Sequence, residues 1–493
     1  MGIIVRQASW NALSIAIGTI AGAVNTVLIL PRVFEDSPDD WGLIKLITAY
    51  ALTGAQFLCI GAPQIISRFY PRMVGRQRDA MVTFALAIPL SLLLILGAIL
   101  FLGPVELQDW LGNKAPELRG EYTIAFVLMT FQTLFISLYG YMASIFKTTL
   151  FQMLNDMFQK VGYLLIVLAF ALGWISFTQL LYIYTAIYGL QFLIILWQSM
   201  ANGLRLRFSF QDLNKKEILN YGAYSILDRG AAVIVANLDI IMLAAILGAA
   251  GLKDIAFYTI AFYMGSVAMI PQKSISVIAN PVVSKAIHEE NWLELASVYR
   301  KSSVTQLLIG GFIFAMVWAN IDEIMLLIPE KFRGGKWVVL FIGISKLFAL
   351  ASGVNGAIII YSKYYRANLA INTSLVVLTM VTNYFFIHPH YLNMGINGAA
   401  LATAITFLVY NVVKTWYVFG RFGIHQMDKS FNITALLVLS GALVYFLPLG
   451  ISPIAAIAIK SGLVTITFAL VAYHFRLSDE LHAMANKYIL RKK

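Results

Sequence analysis

The chain has one cysteine, Cys59, in 493 residues. A single thiol excludes a disulfide framework and a cysteine-built metal cluster. Set in an apolar run, Cys59 reads as a small buried hydrophobe. Histidine is scarce too, at six residues. His388 and His390 flank Pro389, but no nearby carboxylate or third histidine completes a ligand set, so this stretch reads as a solvated turn. Charge is the larger deficit. Asp, Glu, Lys and Arg make up 12% of the chain while 60% is hydrophobic, and mean hydropathy is +0.78. A soluble domain carries roughly 25% charged residues, so a water-soluble globule is excluded and an all-α polytopic membrane protein is expected. Missing motifs narrow the chemistry. There is no Walker sequence for ATP-driven export, and no clustered outer-loop carboxylates or long outer loop for a membrane-embedded glycosyltransferase, polymerase or ligase. No enzyme, cofactor or metal site is expected.

Runs of about 20 apolar residues predict fourteen spans, beginning near Trp10, Trp41, Ala80, Glu121, Asp156, Phe177, Leu219, Ile255, Ser303, Val338, Ala367, Asn397, Phe431 and Pro453. The loops between them alternate in charge. One set holds Arg68, Arg72, Arg76 and Arg78, then Lys147 and Lys160, Arg205, Arg207, Lys215 and Lys216, Lys285, Arg300 and Lys301, Lys363 and Arg366, and Lys414, Arg421 and Lys429. The other holds Glu35, Asp36, Asp39 and Asp40, then Glu106, Asp109 and Glu117, then Asp322, Glu323 and Glu330. The positive-inside rule places both termini in the cytoplasm. The net charge of +12 is thus a topology signal, not a nucleic-acid surface. Tryptophans are expected as an aromatic belt: Trp10, Trp197 and Trp416 at inner ends, and Trp41, Trp110, Trp174 and Trp337 at outer ends. The N-terminus has no small-residue cleavage site after a short apolar core, so the first helix reads as an uncleaved anchor.

The longest polar interruptions are Asn202–Asn220 and Lys285–Ser302. The first divides the chain into a six-helix lobe at 1–210 and a second at 211–425, with two further helices and a cytoplasmic tail at 426–493. The second places Trp292, Leu295 and Tyr299 at helical spacing, which predicts an amphipathic helix on the inner leaflet. A faint repeat accompanies the division. APQIISRFYP closes the second span and NPVVSKAIHE the eighth, aligning Pro63 with Pro281 ahead of a Ser-cation pair. Repeated halves are a common way to build a transporter.

The stretch NYFFIHPHYLNMGINGAALATAITFLVYNVVKTWYVF joins Asn383 and Pro389 to Gly395, Ile396, Gly398, Ala399, Ala400, Ala402 and Thr403. It resembles the C-terminal region of the polysaccharide flippases in the multidrug/oligosaccharidyl-lipid/polysaccharide (MOP) exporter superfamily. The N-terminal ASWNALSIAIGTIAGAVNTVLILPRVF, the acidic loop after it, WGLIKLITAYA and CIGAP follow the family's order, with Trp41-Gly42 in place of its usual Tyr-Gly. This resemblance implies two six-helix lobes around a central cavity, alternating access, and a polyprenyl-diphosphate-linked oligosaccharide as substrate at a bacterial inner membrane. A cation-coupled multidrug exporter of the same superfamily is the alternative. Related flippases often hold arginines deep in the N-terminal lobe. This sequence departs from that pattern, offering only Arg32 and Lys45 near the outer mouth and Arg68 near the inner one.

Polar residues inside the spans are the site candidates. In the first span Asn11, Ser14, Gly18, Gly22 and Asn25 share a face leading to Arg32, either a hydrated cavity wall or a small-residue packing seam. Lys45 sits near the outer end of the second span and Lys460 seven residues into the fourteenth, where lysines can snorkel to headgroups. Lys346 sits deeper, on an expected face with Ala349, Gly353 and Gly356. Asn25, Arg32, Lys45, Gln56 and Lys346 are the candidate substrate-binding residues, because a diphosphate needs cations in a partly desolvated cleft.

The seventh span holds Asp228, Arg229 and Asp239, although each such charge near a helix centre costs about 2.5–3.5 kcal/mol. The two carboxylates are eleven residues apart, so they lie within about 20° on one face and about 16 Å apart along the axis. A bundle salt bridge or an ion-handling site explains them. Asp228, Arg229 and Asp239 are therefore the candidate ion-coupling residues, with H+ or Na+ as the partner.

Overall fold

In hydrocarbon every backbone N–H and C=O must find its partner within the chain, which leaves helices as the answer for runs this apolar. The computed structural model describes residues 2–102, 118, 120–211 and 213–478, and every regular element among them is helical. Thirteen stretches are long and apolar enough to cross a membrane. One of them, Val233–Lys273, has 41 residues. As a single helix it would be about 60 Å long, twice a hydrocarbon core. It breaks at Gly248, where φ is +64°, and so supplies two passes, matching the fourteen expected. The chain forms two compact units, Met1–Ala256 and Phe257–Lys493.

The first unit contains α1 (Gly2–Ala23), α2 (Pro38–Leu58), α3 (Ala62–Phe69), α4 (Gly75–Leu102), α5 (Tyr122–Ser144), α6 (Gln159–Ala171), α7 (Phe177–Ala201) and α8 (Lys215–Leu247). Local sequence sets the helix starts. Pro38 stands in the first turn of α2, Ser176 and Gln179 form a capping box on α7, and Asn214 caps α8. The central α5 packs against α2, α3, α4 and α7, while α8 lies along α2 and α3. Two π-helical turns, Val24–Ile29 after α1 and Met153–Phe158 before α6, interrupt the ordinary ladder.

In the second unit, α9 (Gly251–Ser266), within which the unit boundary falls, leads through a 3₁₀ turn to α10 (Ile270–His288). There follow α11 (Trp292–Ala319), α12 (Ile321–Leu326), α13 (Lys336–Ala351), α14 (Asn355–Tyr361), α15 (Tyr365–Ile387), α16 (Gly395–Phe422), α17 (Lys429–Leu443) and α18 (Pro453–His474). The hub is α11, against which α10, α13, α17 and α18 pack, and α16 joins α13 to α15.

Several expectations are corrected. The amphipathic segment is not a separate surface helix: from Trp292 it continues unbroken as α11, with Leu295 and Tyr299 fully buried. Trp41 is fully buried rather than in the belt, whereas Trp10, Trp174, Trp197, Trp337 and Trp416 are exposed; Trp110 lies outside the described residues. The repeat also moves by one helical break. The second pass kinks at Gly61 (φ +64°) with Pro63 in the following first turn. The eighth kinks at Val267–Met269 with Pro271 in its following first turn. Pro63-Gln64 therefore matches Pro271-Gln272, and Pro281 lies inside α10. Of the expected Asn202–Asn220 linker, residues 204–210 have no regular structure and 215–220 already belong to α8; the Arg207 amide donates to Thr83 Oγ1 at 2.7 Å.

Candidate functional site

In the first unit a polar seam runs between α2, α6 and α7. Lys45 Nζ stands 5.5 Å from the Tyr163 ring centroid, a cation–π arrangement. Tyr163 in turn packs on Tyr184 at 4.9 Å. Thr48 Oγ1 donates its one proton to the Ile44 carbonyl at 2.7 Å. It must then accept from Tyr184 OH at 3.0 Å, and Tyr184 from Tyr188 OH at 3.2 Å. The hydroxyls thus point one way along the seam. A turn further on, Gln159 donates to Gln191 at 2.6 Å. Asn25 Oδ1, Gln132 Oε1, Tyr163 OH and Gln191 Nε2 are buried without a hydrogen-bond partner. Such atoms cost about 1–3 kcal/mol each if left so, and they mark an interior suited to water or a polar ligand.

The sequence candidates divide here. Lys45 is half-buried over Tyr163 rather than extended to headgroups. Asn25 is buried in the π turn, a common device for re-aiming a side chain. Arg32 is exposed and its guanidinium donates to the Leu28 carbonyl. Gln56 is half-buried near the end of α2. The first-span stripe is a packing seam at Gly18, which is buried against the backbone of Asp156; the Asn11 side chain lies outside those described. Asp239 is buried on α8 at 3% exposure. Asp228 and Arg229 lie within α8, with side chains outside those described.

The second unit holds its own cations. Lys346 Nζ lies 4.8 Å from the Phe407 ring centroid and 5.2 Å from that of Phe262. Its expected small-residue face ends early, because α13 stops at Ala351 and Gly353 turns the chain at φ +52°. Phe407 neighbours Tyr410 at 6.3 Å, and Lys414 Nζ lies 4.4 Å from the Tyr410 centroid. Lys414 donates to Tyr410 OH, which donates to Asn372 Oδ1 at 2.9 Å. Lys346, Phe407, Tyr410 and Lys414 therefore form a ladder along α16.

Loop counting assigned Lys414 to a loop. It is instead 5% exposed inside α16, and its signal was the i, i+4 pair with Tyr410. Lys460 is also buried, and pairs with Glu323 at 2.6 Å. A cavity of about 1190 Å3, lined by none of the four ladder residues, opens between α11, α13, α16 and α17. It is walled largely by apolar side chains such as Leu307, Phe314, Leu347, Phe348, Val438 and Leu439.

No protein-family model matches this sequence, and neither does any curated protein. Solved structures do. The lipid II flippase MurJ in an inward closed conformation superposes with a TM-score of 0.69 at 12% identity, covering 95% of this chain and 99% of that one. An inward-facing multidrug resistance MATE family transporter of the MOP superfamily gives 0.61 at 16% identity, over 84% and 98%. The fold is that of the MATE transporters and MurJ. A third MATE/MurJ-like structure is a MOP superfamily transporter from Pyrococcus furiosus Vc1 (DSM3638), described as having a binding pocket of reverse polarity. It gives 0.55 at 16% identity, over 85% and 95%. Embedded lysines among the described residues include Lys45 on the second pass, Lys346 on the tenth, Lys414 on the twelfth and, paired with Glu323, Lys460 on the fourteenth.

Proposed function

We propose that this protein is a flippase that carries a polyprenyl-diphosphate-linked oligosaccharide across a bacterial inner membrane by alternating access. The observation that carries the reading is the sign of the embedded charge. Lys45, Lys346 and Lys414 stand against aromatic rings inside the membrane-crossing helices. A cation held in a desolvated setting recognises phosphate. Asn25, Gln56 and the tyrosines of the first unit would meet the sugar's hydroxyls, with Arg32 at the outer end. The apolar cavity beside α16 suits a hydrocarbon tail, supporting a lipid-linked cargo over a free saccharide.

Asp239 favours a second reading. A buried carboxylate on a membrane helix can bind H+ or Na+, as a cation-coupled multidrug exporter requires. In the flippase reading Asp228, Arg229 and Asp239 couple transport to that ion gradient.

The test is reconstitution into vesicles with a fluorescent polyprenyl-diphosphate sugar in one assay and a cationic dye in another. Flipping of the diphosphate lipid, lowered by Lys346→Gln and by Lys45→Gln, is expected. Dye efflux without lipid flipping selects the exporter.

A further inference from the structure

A second cavity, of about 180 Å3, lies in the second unit where α11, α17 and α18 converge. It is away from the Lys346–Lys414 ladder and on the side carrying the cation-rich loops. Its lining includes Arg300 and Lys301 from α11, Asp428 and Ser430 at the start of α17, and Arg476 and Ser478 just beyond α18. Cations are ordinary in such loops, where they set topology. These three differ in converging on one concave site from segments far apart in sequence.

Two of them are also placed by the backbone. Arg300 Nε donates to the His425 carbonyl at 3.4 Å, which ties its guanidinium to the segment leading into α17. Arg476 has φ +47°, the left-handed conformation in which glycine is the usual residue after a helix. An L side chain there is strained. The turn is closed by the Leu477 amide on the Ala472 carbonyl at 3.1 Å. It leaves Leu477 and Ser478 buried at 5% and 6% exposure. A position that favours glycine is thus occupied by a cation facing a cavity. The one carboxylate among the described lining residues, Asp428, is engaged as the cap of α17, accepting from the Phe431 amide at 2.7 Å. Arg300 and Arg476 thus line the cavity as two guanidinium groups beside the Ser430 hydroxyl.

We infer that this cavity binds a phosphate group, either the headgroup of an anionic membrane lipid or a free phosphate. Arginine forks and serine hydroxyls suit its oxygens, and the site stands at the level where spans end and headgroups begin. Because its ligand touches three segments, binding fastens α11, α17 and α18 together and stabilises the folded protein. This inference is independent of the transported cargo.

The test uses the full chain in uncharged detergent and follows the thermal unfolding midpoint. Inorganic phosphate is titrated against chloride at matched ionic strength, and phosphatidylglycerol against phosphatidylcholine in mixed micelles. A rise with inorganic phosphate identifies a free-phosphate site, and a rise with phosphatidylglycerol alone identifies a lipid headgroup site. Arg300→Gln and Arg476→Gly should each weaken the response about tenfold in apparent affinity, equivalent to about 1.4 kcal/mol. Arg476→Gly should leave the ligand-free midpoint unchanged or raised, since glycine adopts this φ without strain. Its loss of response therefore reports binding and not misfolding. A wild-type midpoint no more responsive to either phosphate source than to its control, or a response undiminished in both variants, overturns the inference.

Discussion

The backbone of Gly18 meets the backbone of Asp156 so closely that a Cβ added to Gly18 would lie 1.8 Å from the Asp156 carbonyl oxygen. The obstacle is main chain in a π-helical turn, so no side chain can move aside. Gly18→Ala should therefore force the first and fifth passes apart and lower the yield of folded protein sharply. Gly420→Ala is the control. An added Cβ there meets nothing within 4 Å, and the change should be neutral or stabilising by up to about 1 kcal/mol from helix propensity. Size-exclusion profiles of both variants decide it; a monodisperse Gly18→Ala peak at wild-type yield refutes the packing argument.

Lys460 and Glu323 face each other in a low-dielectric setting, with side chains 5% and 15% exposed. Lys460→Met strands the carboxylate and should cost about 3–5 kcal/mol. The double variant Lys460→Met/Glu323→Gln should recover most of that loss, because a neutral amide is far cheaper to bury. Thermal midpoints of the four proteins form the cycle. Equal losses in the single and double variants would mean that the pair contributes packing alone.

The ladder on α16 places charge at two points, Lys346 and Lys414. Lys346→Gln and Lys414→Gln should each reduce uptake of a diphosphate-linked lipid about tenfold, the loss of one charge-assisted contact. Lys346→Arg should keep more activity than Lys346→Gln, since the charge is retained. Initial rates against substrate concentration separate the cases. If Gln serves as well as Lys at both positions, the embedded cations do not hold the phosphate.

Asp239→Asn should abolish any response of transport to an imposed H+ or Na+ gradient while the protein still folds. The readout is flipping with and without the gradient in the same vesicles. A preserved gradient response would assign Asp239 to scaffolding.

Orientation can be read with thiols, since Cys59 is buried and replaceable by alanine. In a Cys59→Ala background, Ser37→Cys should react with an impermeant reagent outside intact cells. Gln211→Cys, on the exposed linker, should react only after lysis. Labelling of Gln211→Cys from outside would invert the topology drawn from loop charge.

The passes were legible because hydrocarbon allows so few solutions: twenty apolar residues must be a helix, and loop charge divides them. What lay beyond reach were features that depend on a neighbour. Lys414 sits near the end of its span, where a lysine reads as loop charge; only the Tyr410–Asn372 relay shows it turned inward. Lys460 carried the same ambiguity until Glu323 was seen opposite. Trp41 looks like a belt tryptophan by position, yet α2 packs it inside. The breaks at Ile60-Gly61 and at Gly353 rest on one or two residues of positive φ, and a periodicity reading runs straight through them. The helix that carries Lys346 and Ala349 therefore stops before Gly353 and Gly356.

The Lys460–Glu323 pair also has a consequence in time. The partners are 137 residues apart, and at the 5–20 residues per second of synthesis Glu323 waits about 7–27 s for its lysine. Through that interval its carboxylate stays at the wet edge of the membrane, because an unpaired charge does not settle in hydrocarbon. Seating of α12 is thereby tied to arrival of α18. A chain that stalls before α18 keeps an acid exposed at the membrane surface, unlike one in which Lys460 has come to stand opposite it.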